Sequence, residues 1–189
     1  MRAVRALQIL ERRFPRIGPL LRKAFVEFGV PLNRAIGIRV DARTSGPDRT
    51  VLRLPPRRRN MNVGGTIHGG VITAFAETVH GVAVLWHFHP ADHQMVTRSL
   101  QVDFLAPGRG ALVVDFSLPD SDRRQISMDL ANLGKCDISL MAEVHDTHGN
   151  TIARLTGIYT LRQGKSVGNL SQDSAGMPRH GKPTTEENP

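Results

Sequence analysis

The stretch NMNVGGTIHGGVITAFAETVHG, which runs from Asn60 to Gly81, places a glycine-lined turn directly before an apolar segment. From Ile72 to Trp86 the apolar residues recur every three or four positions, which is typical of a helix with one buried face. A helix start presents unpaired N–H groups and a partial positive charge. Because Gly69 and Gly70 carry no Cβ, a ligand can approach that helix start closely.

Three interpretations of this turn are open from the residues alone. Its N–H groups could stabilise negative charge on a carbonyl oxygen, they could bind a phosphate, or the glycines could serve only the turn. Glu77 follows Gly70 on nearly the same helix face, about 10 Å further along the axis, and could equally be a solvated glutamate. The two groups can act on one carbonyl only if two chains supply them or the substrate bridges them. A two-fold dimer with antiparallel helices would supply the second chain.

The other periodic segments are mainly strands. Strands are predicted at residues 35–43, 49–54, 95–106, 111–118, 136–146 and 151–162, and the first two form a hairpin. Residues 120–133 change to a helical period, with Ser121 or Asp122 as the N-cap and Gly134 after the end. This order predicts an α+β fold in which one antiparallel sheet wraps around a long central helix.

Three segments with different roles are expected along the 189 residues. Residues 1–30 form an N-terminal helical segment of two short helices broken near Pro15 and Pro19. Residues 31–162 form the domain of sheet and central helix. Residues 163–189 are rich in glycine, serine, proline and charge, which predicts a disordered tail. The chain contains no uninterrupted apolar run long enough to predict a membrane span.

The net charge of +8 is concentrated in the first 60 residues, which carry 15 Lys and Arg against 4 Asp and Glu. Such a basic half indicates an anionic partner or simply a solvated basic face. Aromatic residues make up only 5% of the chain, which argues against binding of single-stranded nucleic acid, so no specific nucleic-acid partner is expected. The single cysteine, Cys136, excludes an intramolecular disulfide and fits the reducing cytoplasm.

Four histidines, His80, His87, His89 and His93, are close enough in sequence to suggest a zinc site. No acid or cysteine completes a convincing ligand set, and Pro90 turns the side chains in different directions. No metal is therefore expected. Phosphate-binding and dinucleotide-binding glycine motifs are also missing from the sequence, so no separate cofactor is predicted.

Six residues of the opening stretch carry a resemblance to a known family: Asn62, Gly65, His68, Gly69, Gly70 and Glu77. Their spacing resembles the signature of hotdog-fold acyl-CoA thioesterases of the PaaI type. The segment TRSLQVDFLAPGRG (residues 97–110) resembles that family's next strand, and AEVHDTHGNTIARLTGIYTLR (residues 142–162) resembles its last hairpin. The resemblance covers about residues 35–162, and the helical insert at 120–133 is similar to a less characterised, DUF4442-like branch.

The resemblance implies a homodimer or dimer of dimers that hydrolyses an acyl-CoA to a free acid and CoA at the dimer interface. The N–H of Gly69 or Gly70 would polarise the thioester carbonyl, and His68 and Asn62 would line the same pocket. Glu77 of the neighbouring chain would act as nucleophile or as general base.

Two further parts of the sequence are assigned through the same resemblance. Thr97 falls where the family often has a serine or threonine that can hold the attacking water. Arg57, Arg58, Arg59 and Arg109 are candidates for the phosphates of CoA, which enters as part of the substrate. A solvated basic run is the alternative for these arginines. A non-catalytic acyl-CoA or fatty-acyl binding protein is the alternative function, and a hydratase would need an Asp/His pair that is not found here.

Overall fold

The computed structural model describes residues 2–164, and its centre is a six-stranded sheet in the order β1-β2-β4-β5-β6-β3. Every neighbouring pair is antiparallel. The strands are β1 (Arg39–Val40), β2 (Thr50–Leu54), β3 (His93–Phe104), β4 (Leu112–Phe116), β5 (Lys135–Asp146) and β6 (Thr151–Gln163). The long strand β3 therefore lies at one edge of the sheet, and the two-residue strand β1 lies at the other.

Helices precede, cross and follow the sheet. The α-helices are α1 (Arg2–Arg13), α2 (Gly18–Ala24), α3 (Pro31–Ile36), α4 (Gly69–His87) and α5 (Asp120–Leu133). Shorter turns are a 3₁₀ turn at Pro15–Ile17, a π-helical turn at Phe25–Gly29 and a 3₁₀ turn at Arg58–Asn60.

The central helix α4 supplies the middle of the hydrophobic core. Phe75 and Val79 are completely buried, and they pack with sheet residues such as Leu54 and Leu112. By length and composition alone α4 could cross a membrane. Here the sheet wraps around its apolar face, which is the arrangement of a hotdog fold and confirms the predicted fold class.

Most of the predicted elements are present, with corrections at their ends. Residues 35–36 belong to α3, so the first strand of the predicted hairpin is shorter than expected. The break near Pro15 is confirmed, whereas Pro19 does not break a helix. Pro19 lies in the first turn of α2, where a backbone N–H has no intrahelical acceptor and proline is therefore tolerated.

The insert α5 has the predicted bounds, and Gly134 ends it in the left-handed conformation, with φ of 69°. Its N-cap is Pro119, and not Ser121 or Asp122, because the helix begins at Asp120, two or three residues earlier than those caps require. The predicted disordered tail lies almost entirely at 165–189, outside the described residues.

A buried carboxylate attaches the N-terminal helices to the sheet. Glu27, in the π-helical turn, accepts hydrogen bonds from Lys23 Nζ at 2.7 Å, Arg39 Nη1 at 2.9 Å and the Val40 N–H at 2.8 Å. Burial acts to raise the pKa of Glu27, but the hydrogen bonds from Lys23, Val40 and Arg39 outweigh it and hold that pKa below its ordinary value. Glu27 is therefore a paired carboxylate at neutral pH.

A buried amide attaches the same segment to α4. The Asn33 Nδ2 donates to the Val26 carbonyl at 3.0 Å, and the Asn33 Oδ1 accepts from the Thr78 hydroxyl at 3.2 Å. Thr78 lies on α4 beside Glu77. The segment up to Asn33 is thus fixed against the central helix by polar contacts as well as by apolar packing.

We expect Glu27→Gln to lower the free energy of unfolding at pH 7 by about 2–3 kcal/mol, because it removes the charge of a buried carboxylate that accepts from two cationic side chains and a backbone N–H. Since the folded pKa is depressed, this stabilisation is present above the ordinary value of 4.5 and is lost as pH falls through the lower folded pKa. The difference between wild type and variant, measured by urea denaturation, should therefore shrink below pH 4.5. Glu143→Gln, which removes a partly exposed ion pair with Arg154, is the control and should cost about 1 kcal/mol or less.

Candidate active site

The side chain of Asn62 organises the glycine-rich loop that leads into α4. Its Oδ1 accepts from the N–H groups of Gly64 at 2.9 Å and Thr66 at 3.2 Å, and its Nδ2 donates to the Thr66 hydroxyl at 2.8 Å. Gly65 has a φ of 73°, which favours glycine at this point of the turn. In this chain the polar groups of Asn62 are engaged within its own loop.

The first two amides of α4 differ in what they can bind. His68 is the N-cap, and its Nδ1 accepts from the Gly70 N–H at 3.0 Å. The Gly69 N–H has no acceptor within residues 2–164. The ring of Phe104, from the end of β3, lies 3.1 Å from where a Cβ on Gly69 would be. Of the two amides proposed from the sequence, the one available to a ligand is that of Gly69.

The predicted pair of Glu77 and Thr97 is in direct contact. The Thr97 hydroxyl donates to the Glu77 Oε1 at 2.6 Å, which joins α4 to the edge strand β3. Residues 95 and 97 face the helix, and a β-bulge between Thr97 and Ser99 shifts the register, so that Leu100 faces the core further along the strand. Bulges of this kind re-aim side chains beside functional sites. In the sequence this bulge corresponds to a break in the strict alternation of apolar and polar residues along β3, and the predicted strand takes no account of it.

Glu77 and Thr97 lie on the wall of a cavity of about 370 Å³. It is bounded by α4, by β3 and β6, and by the N-terminal segment at residues 25–33. Asn62 and the residues 68–70 are not among the described residues that line it. Within one chain the two halves of the predicted site are therefore separate, about 10 Å apart along α4.

A buried pair next to this cavity was missed from the sequence. His80, completely buried on α4, and Tyr159 on β6 share a hydrogen bond of 2.8 Å between Nδ1 and the hydroxyl. Burial lowers the pKa of His80 to about 4, while a contact with the Met141 backbone acts in the opposite direction. The imidazole is therefore neutral at pH 7. Burial, followed by the charge of Glu77, raises the pKa of Tyr159, so its hydroxyl keeps its proton.

Gly157 makes room for this pair. The Tyr159 hydroxyl lies only 2.2 Å from where a Cβ on Gly157 would be, so no other residue at 157 would allow the ring to reach His80 in this position. A lone histidine near an apolar stripe gives little indication of such a partner on a distant strand. Only the register of β6 brings the two side chains together.

The four arginines proposed for CoA phosphates fall into two groups. The guanidinium of Arg57 lies over the backbone of Gly37, within 2.7 Å of where a Cβ there would be, so Arg57 is partly used in packing. Arg58, Arg59 and Arg109 are exposed.

The backbone brings the segments that carry these exposed arginines to one place. The His68 N–H donates to the Asn60 carbonyl at 2.8 Å, next to Arg59, and the Ile67 N–H donates to the Gly108 carbonyl at 2.7 Å, next to Arg109. Both basic segments therefore flank the loop that leads into α4.

The histidines considered for zinc have separate partners. His87 Nε2 lies 2.8 Å from the Pro47 carbonyl, His89 Nε2 lies 3.1 Å from Glu11, and His93 Nδ1 lies 3.3 Å from the His89 carbonyl. Within residues 2–164, no group of three or more His, Cys, Asp or Glu side chains could hold a metal ion.

Comparison with known sequences adds a family and a distant relative. A family model described as "Domain of unknown function (DUF4442)" matches residues 18–160. A protein of Halobacterium salinarum named "Putative esterase VNG_1336C" is 32% identical over 87 residues, which cover 44% of this chain and 56% of that protein. The match thus spans little more than half of that curated relative.

Solved structures share the fold. The Pseudomonas aeruginosa protein PA5026, described as a protein of unknown function and "Probable Thioesterase", aligns with a TM-score of 0.70 at 24% identity, over 77% of this chain and 95% of its own. A structure from Shewanella oneidensis, described as a "putative thioesterase", aligns with a TM-score of 0.59 at 20% identity, over 74% and 92% of the two chains. At these identities the likeness establishes the fold.

We expect the buried imidazole to make stability depend on pH. His80 has a folded pKa of about 4 against an ordinary 6.5, so its contribution is fully present above pH 6.5 and declines as pH falls toward 4. Wild type should lose about 3 kcal/mol of unfolding free energy over this range from His80 alone.

The double variant His80→Phe/Tyr159→Phe, which removes the imidazole without leaving an orphan hydroxyl, should lack this slope in urea denaturation at pH 7 and pH 4.5. The exposed His148→Gln variant should keep it. An unchanged slope in the double variant would show that His80 is not the titrating group.

Proposed function

Because the chain belongs to the DUF4442 family and has the fold of the thioesterase-like structures described above, we propose that it hydrolyses an acyl-CoA thioester to a carboxylic acid and CoA. The observation that carries this proposal is the contact between Glu77 and Thr97 on the wall of an otherwise mainly apolar cavity. A carboxylate and a hydroxyl beside a space for an acyl group are the parts that thioester hydrolysis requires.

In the proposed reaction each group has one task. The Glu77 carboxylate, oriented by the Thr97 hydroxyl, removes a proton from water or attacks the carbonyl carbon itself. Because the Thr97 oxygen donates to Glu77, its lone pairs remain able to accept a hydrogen bond from that water. The Gly69 N–H, which lies at the positive end of α4, stabilises the negative charge that develops on the carbonyl oxygen. CoA leaves as the thiol.

Glu77 and Gly69 can meet only across two copies of the chain, and β3 offers a way to bring them together. Thr97, which donates to Glu77, lies in the first half of β3. Phe104, whose ring lies beside Gly69, is the last residue of the strand. Antiparallel pairing of two β3 strands about an axis at residue 101 would set Thr97 opposite Phe104 of the other copy, because the bulge after Thr97 takes up one residue. The carboxylate of one chain would then face the free amide of the other.

The edge of the sheet supports this proposed dimer. β3 is 12 residues long and has no partner strand on its outer side within residues 2–164. Val96, Phe104 and Leu105 are large apolar side chains exposed along or just after it. A long exposed edge with apolar side chains is one that proteins usually cover.

The exposed arginines that flank the loop before α4 are proposed to bind the phosphates of CoA. Arg58, Arg59 and Arg109 lie close to the helix start whose amide holds the thioester carbonyl in the proposed complex. Guanidinium groups bind phosphate through paired hydrogen bonds, and they would leave the acyl group free to enter the cavity. CoA enters as part of the substrate, and the proposed reaction uses no other cofactor.

We expect Glu77→Gln to lower kcat/KM for acyl-CoA hydrolysis by about 10³-fold or more, because the variant can neither attack nor accept a proton. Thr97→Val, which removes only the hydroxyl, should lower it by about 10–100-fold. The measurement is release of free thiol from a panel of acyl-CoAs, with thermal unfolding to confirm that both variants fold.

Two outcomes would contradict the hydrolase. Thiol release that survives Glu77→Gln would remove the proposed catalytic group. Stabilisation of the wild type by acyl-CoA without any thiol release would instead favour the non-catalytic binding protein.

We expect Gly69→Pro to lower kcat by about 10²–10³-fold, because it deletes the free N–H at a helix start that tolerates proline. Gly69→Ala, which places the same Cβ 3.1 Å from the Phe104 ring but keeps the N–H, is the control and should lose much less activity. The backbone of His68 is already extended, as a residue before proline requires.

Co-expression of Gly69→Pro with Glu77→Gln then tests whether the site is shared. If each site combines two chains, mixed dimers contain one intact site, and about a quarter of wild-type activity should return. Absence of any recovery, with mixed dimers shown to form, would contradict a shared site.

A further inference from the structure

The cavity beside Glu77 is walled on one side by the chain's own N-terminal helices. Phe25, Val30 and Leu32, from the π-helical turn to α3, face α4 across it. Glu27 and Asn33 fix this wall through the hydrogen bonds described above. All the described residues that line the cavity therefore come from one chain, and the cavity is open to solvent where Gly81 lies.

Most polar groups on the cavity wall already have partners. The Thr78 hydroxyl shares its one proton between the Ala74 carbonyl and the Asn33 Oδ1, and the Tyr159 hydroxyl is bonded to His80. The polar pair at the reactive end is Glu77 with Thr97, and the rest of the wall is largely aliphatic and aromatic side chains. Such a lining favours an apolar occupant whose polar end lies at Glu77.

The cavity extends along α4 away from Glu77. Among the residues of α4 that line it, Glu77, Gly81 and Leu85 follow one another at intervals of one helical turn. From the first to the last of these residues α4 rises about 12 Å. The sheet wall extends the same way, since Met95 pairs with Leu161 two positions before Thr97 on β3. With about 1.25 Å per methylene for C–C bonds of about 1.5 Å, this length accommodates a straight chain of roughly ten carbons.

Gly81 leaves one position of the channel wall, one turn beyond Glu77, without a side chain. It lies in the interior of α4, where glycine costs about 1 kcal/mol in helix stability relative to alanine. No heavy atom lies within 4 Å of where its Cβ would be, so the space beside it is open to the cavity. Gly81 is exposed in one chain, so a side chain at this position would project into the open side of the channel one turn beyond Glu77.

We infer that the site takes a straight aliphatic acyl chain of medium length, with Gly81 and the Phe25–Leu32 wall setting the chain length it accepts. This inference rests on the proposed thioesterase function and specifies its substrate class. An aromatic acyl group would fill only the part of the channel nearest Glu77.

The test compares Gly81→Leu with the matched control Gly81→Ala in the full chain, over saturated acyl-CoAs from two to sixteen carbons and benzoyl-CoA. Wild type should prefer chains of roughly eight to ten carbons. Gly81→Leu should lower kcat/KM for decanoyl-CoA at least about tenfold and leave butanoyl-CoA within about twofold, because one blocked turn removes several methylene contacts. Gly81→Ala should keep the wild-type profile. Neither variant should unfold at a lower temperature, since both residues favour helix more than glycine does.

A second readout does not depend on turnover. In the Glu77→Gln background, decanoyl-CoA should raise the unfolding temperature more than butanoyl-CoA does, and adding Gly81→Leu should abolish that difference. Absence of thiol release from the wild type, with this binding pattern intact in the Glu77→Gln background, would reject the hydrolase while supporting the channel. Hydrolysis with an unchanged chain-length profile in Gly81→Leu, or a wild-type preference for benzoyl-CoA, would overturn the channel and leave the hydrolase standing.

Discussion

Burial of α4 in the concave face of the sheet is the constraint on which the rest of the molecule depends. Phe75 and Val79 have no exposed surface, and burying each such side chain contributes about 1.5–3 kcal/mol. The helix cannot rotate or slide without exposing them. Gly69, Glu77 and Gly81 are consequently held at fixed positions along one axis, and the chemistry proposed for the site uses those separations. The amide lies at one end of the helix, the carboxylate lies two turns further, and the channel begins beyond it.

The N-terminal segment is part of the cavity rather than an appendage to the domain. Its apolar side chains close the side of the channel that the sheet does not cover, and its buried polar groups, Glu27 and Asn33, fix it to β1 and α4. A buried carboxylate with three donors stabilises only the arrangement that supplies all three, so these contacts specify where the wall lies. The basic character of this part of the sequence is used partly in these internal contacts, since Lys23 and Arg39 both bind Glu27.

The pair of His80 and Tyr159 places polar groups inside the core near the carboxylate of Glu77. Both side chains are uncharged at neutral pH because burial disfavours their ionised forms. Thr97 pairs with Tyr159 across β3 and β6, so the tyrosine ring supports the strand position that holds the hydroxyl against Glu77. A rigid neutral contact near a carboxylate preserves its orientation without adding a competing charge.

What the sequence determined by itself follows from local rules: the helical period from Ile72 onward, the bounds of α5, the hairpin around residues 146–150 and the class of fold. Helix and strand periods and turn residues depend on a few neighbouring positions, so they can be recognised without knowing which distant segments pack together. The contact of Glu77 with Thr97 was suggested by resemblance to a family, not by these rules. Only the tertiary structure decided that the Gly69 amide stays free, that Thr97 faces Glu77 just before a bulge in β3, and that His80 is buried. Each depends on which distant segment packs against it, because strand register and core packing are set by the whole chain at once.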